Sequence, residues 1–149
     1  MRDLLRTSDG TISKAEFRRG AIFLLLLTIG VSALLYAIST LSHAMEWMTV
    51  AIAPFFGVVV IFVVCSLVYF WFCIFAKRSR ATGNSLLLIY AWLGAMFLAS
   101  TFRLLDYQNR TLALSDTGLL PHTGFAALVM SVLAVVLFTG LLVRYWSTE

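Results

Sequence analysis

Charge is scarce in this chain, and the scarcity is clustered. Only 12% of the 149 residues are Asp, Glu, Lys or Arg, against roughly 25% in a soluble domain, while 61% are hydrophobic. Between Arg19 and Glu46, Glu46 and Lys77, Arg80 and Arg103, and Asp116 and Arg144 there is no charged residue at all. A soluble fold of this size has no interior able to hide so much apolar surface. Each gap, in contrast, accommodates the about 20 apolar residues that cross a bilayer at about 1.5 Å per residue. Crossings are expected near residues 20–41, 50–76, 85–102 and 124–143. An unsatisfied backbone amide in hydrocarbon costs several kcal/mol, so each crossing should be a continuous helix.

Further absences remove whole classes of chemistry. The chain has no Cys-x-x-Cys, no Gly-rich phosphate loop and no Ser, His and acidic residues spaced as a nucleophile with its base, which argues against an enzyme. The expected spans contain no carboxylate or base; residues 20–42 offer only Thr28, Ser32, Tyr36, Ser39, Thr40 and Ser42 as polar side chains. That disfavours proton-coupled transport, which draws on ionisable groups inside the bilayer. Cys65 and Cys73 are separated by about 12 Å of helical rise and cannot bridge to each other. The first apolar run is too long for a secretory signal and lacks a small-residue cleavage site. The few cations sit at expected membrane ends rather than along a stripe, so nucleic acid is not an expected partner.

What charge there is gives an orientation. Arg2, Arg6, Lys14, Arg18 and Arg19 precede the first span, and Lys77, Arg78 and Arg80 lie between spans two and three; the first connection has none. In the third connection Arg103 and Arg110 are offset by Asp106 and Asp116, and Arg144 follows the last span. Lys and Arg in short loops are retained on the cytoplasmic side, so both termini are expected there, with Arg18, Arg19, Lys77, Arg78 and Arg80 against anionic headgroups. Trp71, Tyr145 and Trp146 fall at expected inner helix ends and Trp47 and Tyr107 at outer ends, positions that suit headgroup-level aromatic rings.

Residues 1–19 read as a cytoplasmic segment leading into a helix, and residues 20–149 as the membrane domain. Asp9, Gly10 and Glu16 imitate the second half of an EF-hand loop, but Leu5 and Thr7 would stand at the first and third ligand positions, which removes an essential carboxylate. A capping box explains the segment better. Ser13 and Glu16 can satisfy each other's exposed amides, with Ile12 and Phe17 in the positions of a hydrophobic staple; the Ser13 cap contributes about 1 kcal/mol.

Gly10-Thr11-Ile12-Ser13-Lys14-Ala15-Glu16-Phe17 resembles the amino-terminal signature Gly-Arg-Ile-Ser-Arg-x-Glu-Phe of the YhaH/YhaI-like bacterial inner-membrane proteins, grouped as domain of unknown function 805. Residues 76–85, Ala-Lys-Arg-Ser-Arg-Ala-Thr-Gly-Asn-Ser, are similar to that family's Ala-Arg-Arg-Leu-His-Asp-Thr-Gly-Arg-Ser between spans two and three. The resemblance covers residues 8–105 and implies a small bacterial inner-membrane protein without an assigned activity. It departs where the family has His-Asp, here Arg80-Ala81, and where two Trp are replaced by leucines such as Leu87 and Leu88. Read from the residues alone, this segment is a tight hairpin: Lys77 and Arg78 complement the helix dipole, Gly83 permits the reversal, and Asn84 or Ser85 can cap the next helix.

Within the bilayer, Ala91, Ala95 and Ala99 form a small-residue stripe of the kind that lets membrane helices approach closely. Ala53 with Gly57 and Ala127 with Ser131 make shorter ones. His43 and His122, at expected outer helix ends, could in principle meet as haem or metal ligands, but without a second ligand pair no cofactor is expected. The expectation is therefore an all-α, integral-membrane four-helix bundle with both termini inside. Its expected role is a non-catalytic accessory or scaffold subunit of a larger inner-membrane complex, with the lipid bilayer and a membrane protein as partners. The alternatives are a passive channel or small-solute carrier lined by Ser32, Ser39, Ser66 and Ser131, and, more weakly, a haem protein.

Overall fold

The computed structural model describes residues 10–44, 46–111 and 122–147, with the side chains of all of these except 39, 41–44, 46–56 and 109–111. Among the described residues there are four helices and no strand: α1 (Lys14–Ala44), α2 (Glu46–Ala81), α3 (Leu87–Thr111) and α4 (Thr123–Ser147). Each is long and apolar enough to cross a membrane, over Lys14–Ile38, Gly57–Ala81, Leu87–Gln108 and Thr123–Ser147. The protein is thus an all-α, four-helix, multi-pass membrane protein. Its helices form two compact units, residues 1–82 and 83–149, each built on one helical pair.

In the first unit α1 and α2 run antiparallel. Phe17 meets Phe75 with ring centroids 6.1 Å apart, Gly20 lies against Ile74, and Thr28 receives the Trp71 indole. As numbers rise along α1 they fall along α2. On α1 the buried residues Phe17, Gly20, Ala21 and Leu24 make one stripe, at the i, i+3, i+4, i+7 spacing of a helix face. Burial is concentrated at this end: Trp71 and residues 73–79 of α2 are buried, whereas none of residues 57–70 is. The helix is apolar all round, and only its last three turns are enclosed by its own chain.

The second unit is packed along its length. On α4 the enclosed positions are Ala127, Ser131, Ala134, Phe138, Leu141 and Tyr145, four of them buried and Ser131 and Phe138 half-buried. Alternating steps of four and three residues keep one seam of a helix facing its neighbour. On α3 the buried positions are Ile89, Trp92, Ala95 and Ala99. The pairing is antiparallel: Asn84 is tied to Arg144, Trp92 packs on Phe138 at 5.7 Å, Arg103 reaches Ser131 and Asp106 reaches Thr123. Alanines on both sides of the seam allow close approach in lipid, where no hydrophobic force draws helices together.

Three expectations are corrected here. The segment beyond residue 102 is not yet a connection: α3 continues to Thr111, because Arg103 and Asp106 find partners on α4 that make two further turns worth keeping helical. Residues 46–49 belong to α2 and not to a first loop. The small-residue stripe is also shifted, since Ala95 and Ala99 are buried but Ala91 is exposed; Trp92, one position on, occupies the seam instead.

Candidate functional site

The polar groups available for function lie mainly at helix ends, so the site is built from those ends. Ser13 is the residue before α1, and its backbone N–H and hydroxyl both donate to Glu16 Oε2 at 2.9 Å. The Glu16 amide donates back to Ser13 Oγ at 3.3 Å, and the Phe17 amide to the Ser13 carbonyl at 2.9 Å. This reciprocal exchange satisfies amides that have no partner within the helix. Ile12 and Phe17, the staple positions, are both buried, and Gly10 just before them has φ +92°, backbone that only glycine adopts without strain.

The cations at this end divide into two groups. Arg19 and Arg80 are exposed and Arg18 is half-buried. Lys77 and Arg78 are instead only 4% and 5% exposed, and Ser79 is fully buried. The chain itself covers Lys77 and Arg78, so the five cations expected at headgroups differ in exposure. Trp71 and Tyr145 are likewise buried rather than set out as interfacial anchors; the Trp71 ring stacks on Phe75 at 5.5 Å. Trp146 is half-buried and Tyr107 exposed, while the Trp47 side chain lies outside the described residues.

The turn after α2 follows from two local features. The Thr82 amide donates to the Arg78 carbonyl at 3.1 Å, closing the last helical turn, and Gly83 takes φ +66°, the left-handed conformation that ends helices. Asn84 Oδ1 then accepts a 2.9 Å bond from Arg144 Nη2, so this side chain ties the turn to the end of α4. At the start of α3 the Leu86 carbonyl accepts from the Ile89 and Tyr90 amides at 3.0 and 3.1 Å.

In each helical pair a hydroxyl is used both within its helix and across to the neighbour. Thr28 Oγ1 donates to the Leu24 carbonyl at 2.7 Å and accepts from Trp71 Nε1 at 3.3 Å. Ser131 Oγ donates to the Ala127 carbonyl at 2.7 Å and accepts from Arg103 Nη2 at 3.0 Å. A hydroxyl that returns its proton to its own helix can receive a donor from the neighbour, so one side chain serves both helices of the pair. Asp106 completes the second set. Its Oδ1 accepts from Thr123 Oγ1 at 3.3 Å, and a methyl group on Gly124 would stand only 3.1 Å from the same oxygen. The carboxylate therefore sits on the first turn of α4, where the helix dipole favours negative charge.

The remaining candidates do not converge. Ser66 donates to the Phe62 carbonyl of its own helix at 2.8 Å, Ser32 is exposed, and the Ser39 side chain lies outside the described residues. Of the two histidines, His122 is exposed and its carbonyl receives the Ala126 amide at 2.9 Å to start α4; the His43 side chain is outside the described residues. Cys65 is exposed and Cys73 buried, both as free thiols. Among the described residues no group of three or more His, Cys, Asp or Glu is gathered as a metal site.

Sequence reasoning missed the ties Thr28–Trp71, Arg103–Ser131, Asp106–Thr123 and Asn84–Arg144. The signal for two of them was present. Arg103 and Asp106 are three positions apart, one helix face, and Thr123 with Ser131 lie on the facing seam. No family model, curated protein or solved structure matches the chain.

Proposed function

We propose that this protein is a non-catalytic accessory or scaffold subunit of a larger complex in the bacterial inner membrane, with both termini on the cytoplasmic side. We further propose that it is a divergent relative of the YhaH/YhaI-like family, on the two signatures around Ser13 and Gly83. The observation that carries the functional reading is on α2. Val58, Phe62, Cys65 and Tyr69 are all exposed and recur in steps of four, three and four, the rhythm with which α4 meets α3. A ridge with this spacing is suited to seat a further transmembrane helix. Thr28, Trp71, Arg103, Asp106, Thr123 and Ser131 are engaged between helices, which suits a part built for packing.

The test is purification in mild detergent after crosslinking through Cys65, with companions identified by mass spectrometry. Recovery of one recurrent membrane protein joined at Cys65 is the expected result. A monodisperse protein that forms no adduct through Cys65 and carries no companion would remove the support for this reading.

A further inference from the structure

Arg103 points inward. Long cationic side chains near a membrane end ordinarily run outward, so that the charge reaches the interface. In the second helical pair Trp92 packs on Phe138 and Asp106 bonds to Thr123, an antiparallel register that sets Ser131 level with Ala99. The Arg103 guanidinium donates to Ser131 Oγ at 3.0 Å, so it is drawn about 6 Å of helical rise back from its own Cα, toward the apolar body of α3. Whichever side of the membrane this end faces, the charge is turned into the bilayer. Asp106 does not neutralise it: that carboxylate bonds to Thr123, about 12 Å along α4 from Ser131. Among the described residues the bond to Arg103 comes from a neutral hydroxyl, which engages one of the five N–H donors of a guanidinium. Arg103 is nevertheless exposed, as are Ser100 and Tyr107 one turn to either side. Ionisable groups within a span ordinarily face the inside of a bundle and pair with an opposite charge; this one faces out of its own helical pair.

We propose, on the reading of this chain as a subunit, that Arg103 pairs with a carboxylate carried inside a transmembrane helix of a partner protein. The charge selects an anion, and the planar fork suits a carboxylate that accepts parallel N–H bonds. Depth selects its source. A lipid phosphate stands outside the hydrocarbon core, whereas a side chain on a crossing helix is fixed at whatever depth its position gives. Within the four crossing segments the carboxylates of this chain are Glu16 and Asp106. The first closes the cap with Ser13 and the second is held at Thr123. A second copy would bring the same two, so the carboxylate belongs to a different protein. Ser100, small and exposed beside Arg103, lets the backbone of such a helix come close.

The test uses the full chain in phosphatidylcholine vesicles with a synthetic leucine–alanine transmembrane peptide that carries one Asp about 12 Å from its end; fluorescence energy transfer reads the association. The Asp peptide should bind about tenfold more tightly than the same peptide with Leu in that place, the factor one charge-assisted hydrogen bond supplies. Arg103→Gln should abolish the preference and Arg103→Lys should keep part of it, while both variants bind the Leu peptide as the unaltered protein does. Moving the Asp two turns toward the peptide end should also abolish it. Equal binding of the Asp and Leu peptides by the unaltered protein, or a preference that survives Arg103→Gln, would overturn the assignment. Displacement of the Asp peptide by phosphatidic acid would overturn it too, by giving the site to a lipid phosphate. The subunit reading fails separately: a preference for the Asp peptide in a protein that carries no companion from the cell would keep the site and remove the complex.

Discussion

Gly20 approaches α2 so closely that a methyl group there would lie 2.8 Å from Ile74 Cδ1 and 3.9 Å from Ile74 Cγ1. The first distance is a clash and the second is ordinary contact, so one methyl of Ile74 decides the outcome of Gly20→Ala. Ile74 is fully buried, which denies that methyl an open direction in which to swing. Overpacking of this kind costs about 1–3 kcal/mol, while alanine is a better helix former than glycine by about 1 kcal/mol. The expected net loss is therefore between about 0 and 2 kcal/mol, too broad for the single variant to be decisive.

The second substitution makes it so. Ile74→Val deletes Cδ1 and leaves the rest of the side chain, at a cost of about 1 kcal/mol. With that atom gone, Gly20→Ala should become stabilising by about the helix-propensity difference of 1 kcal/mol. The sign of the Gly20→Ala effect thus depends on the residue at 74, with a coupling of about 1–3 kcal/mol. Reversible unfolding of the four proteins in mixed detergent micelles, followed by helix circular dichroism, measures the cycle. Additivity to within about 0.5 kcal/mol would show that α1 and α2 do not meet at this level and would refute the packing described for the first unit.

Ser13→Ala should destabilise the start of α1 by about 1 kcal/mol, seen as faster amide exchange of residues 15–17, whereas Glu16→Gln, which preserves the reciprocal bond, should change it little. Gly83→Ala places a Cβ at φ +66° and should cost about 1–2 kcal/mol in the same unfolding assay; Asn, which tolerates this conformation, should cost less. Ser131→Ala leaves Arg103 without its partner on α4 and should cost about 0.6 kcal/mol, the mean for such bonds between membrane helices, with Thr restoring it. In membranes a lipid-soluble maleimide should label the exposed Cys65 and leave the buried Cys73 unlabelled until the protein is unfolded; equal labelling of both would contradict the enclosure of the end of α2.

The number, type and approximate position of the helices were legible because one physical constraint dominates them. Charge is excluded from hydrocarbon, and the four uncharged gaps mark its extent. The start of α1 was legible for a different reason: a capping box acts over three residues, so Ser13 and Glu16 contain the whole interaction. The turn at Gly83 was equally local. Alanine positions were only partly legible, since a stripe at i, i+4 spacing fixes a helix face but not which neighbouring face packs. Ala91 and Trp92 differ by one position, and the seam chose the larger residue because Phe138 stands opposite it.

Burial of Lys77 and Arg78 and the helical character of Arg103 and Asp106 were not legible, and they share a cause. A charge count treats every cation near a membrane end as equivalent and takes the first charged residue as the end of a span. Whether a charge ends a helix depends on what faces it. Arg103 would end α3 if the opposite position offered only hydrocarbon; Ser131 supplies an acceptor, so the helix carries its charge onward and α4 absorbs it. Asp106 repeats the logic one turn later with Thr123 and the bare backbone of Gly124, where any larger residue would hold the carboxylate off. The same charges that appear in sequence as the edge of the membrane are, in the folded pair, the means by which two helices fix their register.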